Sequence, residues 1–487
     1  MAKNFIVAIE LGSSKITGMA GQKNLDGSIT VLAVVKEDSK ACIRKGVVWN
    51  IDKTAQSLTN IVKKLKSSLR TEISHVYVGV GGQSIRSVKN NIVKELPAET
   101  IVSKDMVDEL MDANRSMSYP EQEILDAVTL EYKVGLQSQL DPVGVQCQRL
   151  EGNFLNILWR RAFYRNLNKC FDLAGIAIAE MYLAPLAMAD SVLTEAERRS
   201  GCLLVDMGAE TTTVSIYHRD ILRHLAVIPL GGNNITKDIE SLQIDEKDAE
   251  RMKLKYAKAF TDNSDIDNNQ TYPIDQERTI EQRRFVEVVE GRLAEIMENV
   301  WAQVPNEYAD KLLGGIVLTG GASNMPNIEE AFRRVTRISK VRLAQFVTQT
   351  VNASNGENII HDGTLNTVIG LLAKGDMNCA GNDITNDLFG INGEQKVPLT
   401  TGDLHQQPRT TVATAGTGIV RTEAEKQKAE EEERKRQEEE RRKREEEEEQ
   451  RRIEEEEERK RNSPWNKIRH KATNFFRAIV SADNEDE

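Results

Sequence analysis

One unit occurs twice in this chain, and nothing else constrains the fold so strongly. It is a short β-rich run, an acidic residue, a glycine and then hydroxyl-bearing residues. The first copy is Ile9-Glu10-Leu11-Gly12-Ser13-Ser14-Lys15, and the second is Val205-Asp206-Met207-Gly208-Ala209-Glu210-Thr211-Thr212. A third strand end follows, Val317-Leu318-Thr319-Gly320-Gly321-Ala322-Ser323. Small residues after a strand let backbone N–H groups come close to an anion. The hydroxyls of Ser13, Ser14, Thr211 and Thr212 can donate as well, and Lys15 adds positive charge. Glu10 and Asp206 are placed to reach a magnesium ion through water. Paired glycines at 320 and 321 permit a flat ligand or a ribose to lie against the backbone. A single strand–glycine turn is usually only a turn; the ordered set of three is specific. Two copies of one unit predict two related halves clamping one phosphate chain. None of the three is a Walker A sequence or a good GxGxxG match.

Around these turns the pattern alternates strand and helix. Strands are predicted at 5–9, 29–36, 76–80, 127–134, 155–159, 176–178, 202–206, 213–217, 222–229 and 315–319. Helices are predicted at 51–69, 104–115, from about 166, 185–193, 235–239, from 249, 285–300 and 365–373. Residues 261–276, rich in Asn and Asp, read as a mobile loop. Beyond about residue 376 the chain turns to Gly, Asn, Thr and Gln and reads as a disordered linker.

Residues 421–461 differ again. Glu430 precedes Arg434, Glu431 precedes Lys435, Glu439 precedes Lys443 and Glu456 precedes Lys460, all i,i+4 pairs in the favourable order. There is no apolar a/d seam, so a solitary charged helix of roughly 60 Å is expected rather than a coiled coil. Ser463-Pro464 then opens a last helix. Trp465, Ile468, Ala472, Phe475, Phe476, Ile479 and Val480 fall on one face; Lys467, Arg469, Lys471 and Arg477 occupy the other. An apolar stripe with aromatics opposite a basic face is the profile of a helix lying in an anionic membrane surface.

Composition narrows the class further. Net charge is −11, which argues against nucleic acid as the main partner. The five cysteines are scattered, with no CxxC pair, so reduced thiols are expected rather than disulfides or zinc. The first residues lack a signal-peptide pattern, and no apolar run is long enough to span a bilayer. A protein made and kept in the cytoplasm is expected.

The ordered set of turns resembles the actin, Hsp70 and sugar-kinase superfamily: two phosphate motifs and an adenosine motif. Leu173-Ala174-Gly175 through Pro185-Leu186-Ala187, and Asn366 through Leu372, look like its two connecting regions. Within the superfamily the resemblance is to the FtsA family of bacterial cell-division proteins. Glu10 stands where an Asp is usual, His75 to Gln83 leads into an insertion containing Asp141-Pro142-Val143-Gly144, Gly315 to Gly321 matches closely, and a linker leads to a terminal amphipathic helix.

That resemblance implies an α/β, actin-like, two-domain ribonuclease-H-like fold with a small α+β insertion subdomain. The first domain would take residues 1–83 and 165–200, and the insertion 84–164. The second domain would take 201–376, with a nucleotide-capping part at about 235–312. A disordered linker (377–420), a charged single helix (421–462) and a membrane-targeting helix (463–482) would follow. The cofactors implied are ATP and Mg2+. The partners implied are tubulin-like FtsZ, copies of the same chain, anionic lipid and later divisome membrane proteins, at the cytoplasmic membrane face of the division site. The resemblance also places Gly231-Gly232-Asn233 at a phosphate or ribose edge, and Glu290 and Arg292 near the adenosine. From the residues alone, Glu290 and Arg292 read as a solvated helix face.

This chain departs from the family at Ala209-Glu210, where consecutive glycines are usual. A carboxylate there can crowd the phosphates, point outward, or position water. No residue stands out as a general base; Glu10, Asp206 and Glu210 are the weak candidates, so slow hydrolysis at most is expected. Two alternatives stay open: an actin-like ATPase of the pilus-assembly type, and a superfamily kinase. The kinase would need a substrate-facing Asp that has no clear candidate here. An Hsp70-type chaperone would need a β-sandwich after about residue 380, where this chain has linker and charged helix.

Overall fold

The computed structural model describes residues 4–267, 269–346, 349–353 and 362–381. The expected charged helix and membrane helix, and the linker from residue 382 onward, lie outside the described residues.

β1 (Ile6–Leu11), β2 (Lys15–Lys23) and β3 (Ile29–Asp38) form an antiparallel meander. A small hairpin of β4 (Ile43–Arg44) and β5 (Val47–Val48) leads to α1 (Ile51–Leu69). The helix begins where Asn50 accepts the Lys53 N–H at 3.0 Å, and it buries Leu58, Ile61, Val62 and Leu65 on one face. β6 (Val76–Val80), wholly apolar or glycine and buried throughout, pairs parallel with β1.

An insertion follows: β7 (Arg86–Glu95), α2 (Lys104–Arg115), β8 (Gln122–Val134), β9 (Gln137–Gln139) and β10 (Arg149–Arg160). It has a small core of its own around Val102, Leu110, Tyr132, Leu150 and Phe154. The chain then returns through α3 (Arg161–Ala174) and β11 (Ile178–Leu183), which pairs parallel with β6. α4 (Ala184–Val192) and α5 (Glu195–Ser200) lead onward.

A second meander repeats the first: β12 (Cys202–Met207), β13 (Thr212–His218) and β14 (Ile221–Ile228). Next come α6 (Gly232–Glu240), α7 (Glu246–Tyr256), the hairpin of β15 (Thr271–Pro273) and β16 (Thr279–Glu281), α8 (Gln282–Ala302) and α9 (Asn306–Ala309). β17 (Gly315–Thr319) pairs parallel with β12. After α10 (Ile328–Thr336), β18 (Val341–Leu343) pairs parallel with β17. β19 (Val351–Ala353) returns to β3, and α11 (Asn366–Lys374) closes the described chain.

The duplication is visible in the sheets. The first runs β11-β6-β1-β2-β3-β19, and the second begins β18-β17-β12-β13-β14 in the corresponding order. In the second sheet β14 continues into β7-β10-β8-β9, joined by one register pair, Ala226 with Arg86. We call the two halves the first and second lobes. The connecting helices α4 and α11 cross at Gly370, where a Cβ would lie 2.8 Å from the Ala187 carbonyl oxygen, so only glycine allows that approach.

Three expectations need correction. Residues 261–276 do not read as a free loop: Tyr272 stacks on Tyr256 at 4.4 Å and meets Phe285 edge-on at 5.6 Å, fixing the β15–β16 hairpin. Order also continues past residue 376. Phe5 N–H donates to Asn378 Oδ1 at 3.0 Å, Cys379 N–H to the Phe5 carbonyl at 2.8 Å and Gly381 N–H to the Glu72 carbonyl at 2.7 Å. Backbone pairing holds this stretch, which its composition does not reveal. Finally, the strand expected at 176–178 lies at Ile178–Leu183 instead, its register set by β6. All five cysteines are free thiols.

Candidate functional site

The duplicated hairpins make two loops of the same geometry. In the first, Gly12 N–H donates to the Lys15 carbonyl at 3.1 Å; in the second, Gly208 N–H donates to the Thr211 carbonyl at 2.8 Å. Register pairs Leu11 with Ile16 and Met207 with Thr212, so Ser13 corresponds to Ala209, Ser14 to Glu210 and Lys15 to Thr211. Glu10 and Asp206 occupy matching positions two residues before the glycine, each half-buried.

Burial pushes both carboxyls up, Asp206 to about 6 and Glu10 to about 7, the latter also repelled by Asp206 and partly relieved by Lys15 and Thr367. Burial and Lys36 hold the Lys15 ammonium below its ordinary value, opposed by Glu10 and Asp362. Two partly buried carboxylates of one sign are chemically suited to a shared cation. Among the described residues no three His, Cys, Asp or Glu side chains converge as a metal cage. One or two carboxylates, with water and phosphate, are the usual ligands of Mg2+.

The third segment sits directly against the second loop. Gly320 has φ +84°, and a Cβ there would lie 2.4 Å from Asp206 Oδ1 and 2.5 Å from the Met207 carbonyl oxygen. Ser323, buried, donates its hydroxyl to the Gly320 carbonyl at 2.7 Å, closing the turn upon itself. Gly321 and Ala322 remain at the edge of this turn, and Asn366 Nδ2 supports it through Thr319 Oγ1 at 3.0 Å.

Gly231, Gly232 and Asn233 come to the second loop as well. Gly232 N–H donates to the Gly208 carbonyl at 3.0 Å and Asn233 N–H to the Ala209 carbonyl at 2.7 Å. Their amides therefore brace the loop. Ser13 Oγ accepts Gly46 N–H at 2.8 Å, and the Ser14 carbonyl accepts Ser39 N–H at 3.3 Å. Thr212 points its hydroxyl inward, to the Leu230 carbonyl at 2.9 Å, leaving Thr211 as the outer hydroxyl of that pair.

Glu290 and Arg292 on α8 are not a solvated face; both are half-buried. Arg292 Nη2 donates to Asp238 Oδ1 at 3.0 Å and the guanidinium also pairs with Glu295. Glu290 is raised by burial, its Oε1 buried and without a hydrogen-bond partner.

Two groups escaped the sequence reading. Lys253 is almost buried and donates to the Gly232 carbonyl at 3.1 Å and to Thr236 Oγ1 at 2.8 Å. On a polar helix such as α7 no periodic signal distinguishes it. Asp362 accepts the Thr364 N–H at 3.0 Å, beside the third segment, and a D-G-T turn before α11 was its only trace.

A duplicated meander, paired carboxylates at matching strand ends and two helices crossing between the lobes define a protein of the actin-like class. A solved structure described as the PilM-PilN type IV pilus biogenesis complex shares this fold, with a TM-score of 0.51 and 16% identity over 76% of this chain and 98% of that one. The family model "Cell division protein FtsA" matches residues 203–370, and "SHS2 domain inserted in FTSA" matches residues 82–158. "Cell division protein FtsA" of Porphyromonas gingivalis is 30% identical over 418 residues, covering 83% of this chain and 86% of that protein. Its Neisseria meningitidis serogroup B namesake is 30% identical over 341 residues, covering 68% and 82%. This chain belongs to the FtsA family of cell-division proteins.

Proposed function

We propose that this cell-division protein binds ATP and Mg2+ between its lobes, assembles with copies of itself, and tethers the tubulin-like division protein FtsZ to the cytoplasmic membrane face at the division site, where it helps recruit later divisome membrane proteins. The observation that carries the nucleotide half is the matched pair of loops with Glu10 and Asp206 at corresponding strand ends. In this reading Gly12 and Gly208 close the two turns, and the amides of Ser13 to Lys15 and of Ala209 to Thr211 cradle the phosphates, aided by Lys15 and the Ser13, Ser14 and Thr211 hydroxyls. Gly320 to Ser323 backs the adenosine, with Gly231 to Asn233 bracing the second loop. Glu290 and Arg292 shape the adenosine side from α8. Glu10 and Asp206 hold Mg2+ through water. Bound Mg2+ supplies positive charge to the phosphate oxygens. Of the candidate bases, Glu10 and Asp206 face the cation and Glu210 accepts the Lys45 amide, which supports slow turnover at most.

Asp206→Asn should weaken ATP binding in Mg2+ by about tenfold, close to 1.4 kcal/mol. The same substitution should leave binding in excess chelator almost unchanged, as calorimetric titration with and without EDTA would read. An equal loss in both conditions would remove Asp206 from the cation site.

The membrane half rests on residues 463–482. Lys467, Arg469, Lys471 and Arg477 would each contribute about 1 kcal/mol near anionic lipid, and Trp465, Ile468, Ala472, Phe475, Phe476, Ile479 and Val480 the apolar contact. One such helix binds reversibly, so self-association raises avidity. Sedimentation with anionic liposomes tests both parts. Full-length protein should co-pellet, more so with ATP, and a chain ending at Arg461 should stay in the supernatant. Equal co-pelleting of the shortened chain would remove the helix as the anchor.

A further inference from the structure

Glu210 is the residue at which this chain departs most from a glycine-rich phosphate loop, and its carboxylate has a definite partner. Glu210 Oε2 accepts the backbone N–H of Lys45 at 2.6 Å. Lys45 and Gly46 form the tip of the β4–β5 hairpin, with φ of 49° and 71°. The next amide, Gly46 N–H, goes to Ser13 Oγ at 2.8 Å, and the Lys45 carbonyl accepts Gln83 N–H at 2.8 Å. Two successive amides of one hairpin tip therefore reach the two phosphate loops, one on each lobe. The carboxylate–amide bond is charge-assisted, the stronger kind. A second contact joins the lobes nearby, Lys40 with Glu246 at 2.8 Å. Both of its side chains are more than half exposed, so it adds little.

We propose that Glu210 is a positioning residue that latches the second loop onto the first lobe, holding the cleft closed and slowing nucleotide release. The latch itself needs no ligand; its effect on release rests on the nucleotide reading above. Glycine at this position has no side chain to make the contact, so closure in this chain is partly built in. Lys45 presents its main-chain amide, so the latch is addressed through Glu210: glutamine keeps an acceptor of the same reach, alanine removes it.

Two measurements on the full-length protein separate the parts. The first is hydrogen–deuterium exchange resolved to the Lys45 amide, without nucleotide. It should be about tenfold faster in Glu210→Ala than in wild type and restored in Glu210→Gln. Equal exchange in wild type and Glu210→Ala overturns the latch. The second is release of a fluorescent ATP analogue. Glu210→Ala should release it about three- to tenfold faster, with Glu210→Gln within twofold of wild type. Slower release from both variants would mean that the carboxylate acts by repelling phosphate, and the release claim falls. If wild type binds no analogue, the nucleotide reading and the release claim fall together, while amide exchange still decides the latch.

Discussion

Arg342→Met should lower the unfolding free energy by about 3–5 kcal/mol, the range for breaking a buried ion pair. Arg342 Nε donates to Glu197 Oε1 and Nη2 to Glu197 Oε2, both at 2.8 Å, and Nη2 also donates to the Val192 carbonyl at 2.8 Å. Thr194 N–H and its hydroxyl donate to Glu197 Oε2 at 2.9 Å each, in the capping box that starts α5. The pair ties the connection between the lobes to β18. Burial alone would push the Glu197 carboxyl up; Arg342 and Thr194 together more than offset this and hold it at about 2. The stability this group contributes is therefore complete above its unfolded value near 4.5 and is lost as pH falls through about 2. Without Arg342 the same carboxylate stays buried with only the Thr194 donors and no opposite charge, so protonation relieves the variant. Its deficit in urea denaturation should be widest near neutral pH and narrow in mild acid. A deficit that does not change with pH would mean that Arg342 acts through packing alone.

Gly320→Ala should weaken ATP binding by about a hundredfold or more. Its backbone, at φ +84° and ψ 164°, lies in a region that side chains rarely enter, at a cost of about 1–3 kcal/mol. The new Cβ would also lie 2.4 Å from Asp206 Oδ1, so either the third segment or the candidate Mg2+ carboxylate must move. Gly321→Ala is the control. Its Cβ would meet nothing closer than Thr364 Cγ2 at 3.6 Å, and binding should stay within about twofold. Equal losses at both positions would show that the segment tolerates no change at all, rather than that Asp206 needs the space.

Strong periodicity made much of this fold legible. α1 spans the predicted residues because Leu58, Ile61, Val62 and Leu65 recur on one face, and β6 because it is apolar throughout. The duplicated strand–acid–glycine unit predicted two related halves, and the two sheets share a corresponding strand order. The region from about Ser84 to the helix at 104 reads only as short strands without bounds, because Arg86–Glu95 is polar and half-exposed and β7 is fixed by pairing with β10. β2 was missed because Gly18 and Gly21 dilute its apolar pattern. Within the site, the strand ends and glycines could be read from order alone. Thr212 turning inward, Arg292 pairing with Asp238, Lys253 reaching from α7 to the start of α6 and Glu210 reaching Lys45 could not, because each depends on a partner distant in sequence.

The ordered stretch that ends at Gly381 has a mechanical consequence. Tension on the chain beyond Gly381 meets the Gly381–Glu72 bond first, then the Ile73–Ala380 bridge, then the bonds of Cys379 to Ser74 and Phe5. These lie at one edge of the first lobe, beside the start of β1. They would part in sequence, as a zipper does, so the attachment would yield before either phosphate loop was strained. A pull on this protein would reach the first lobe as a load and leave the second largely unstressed.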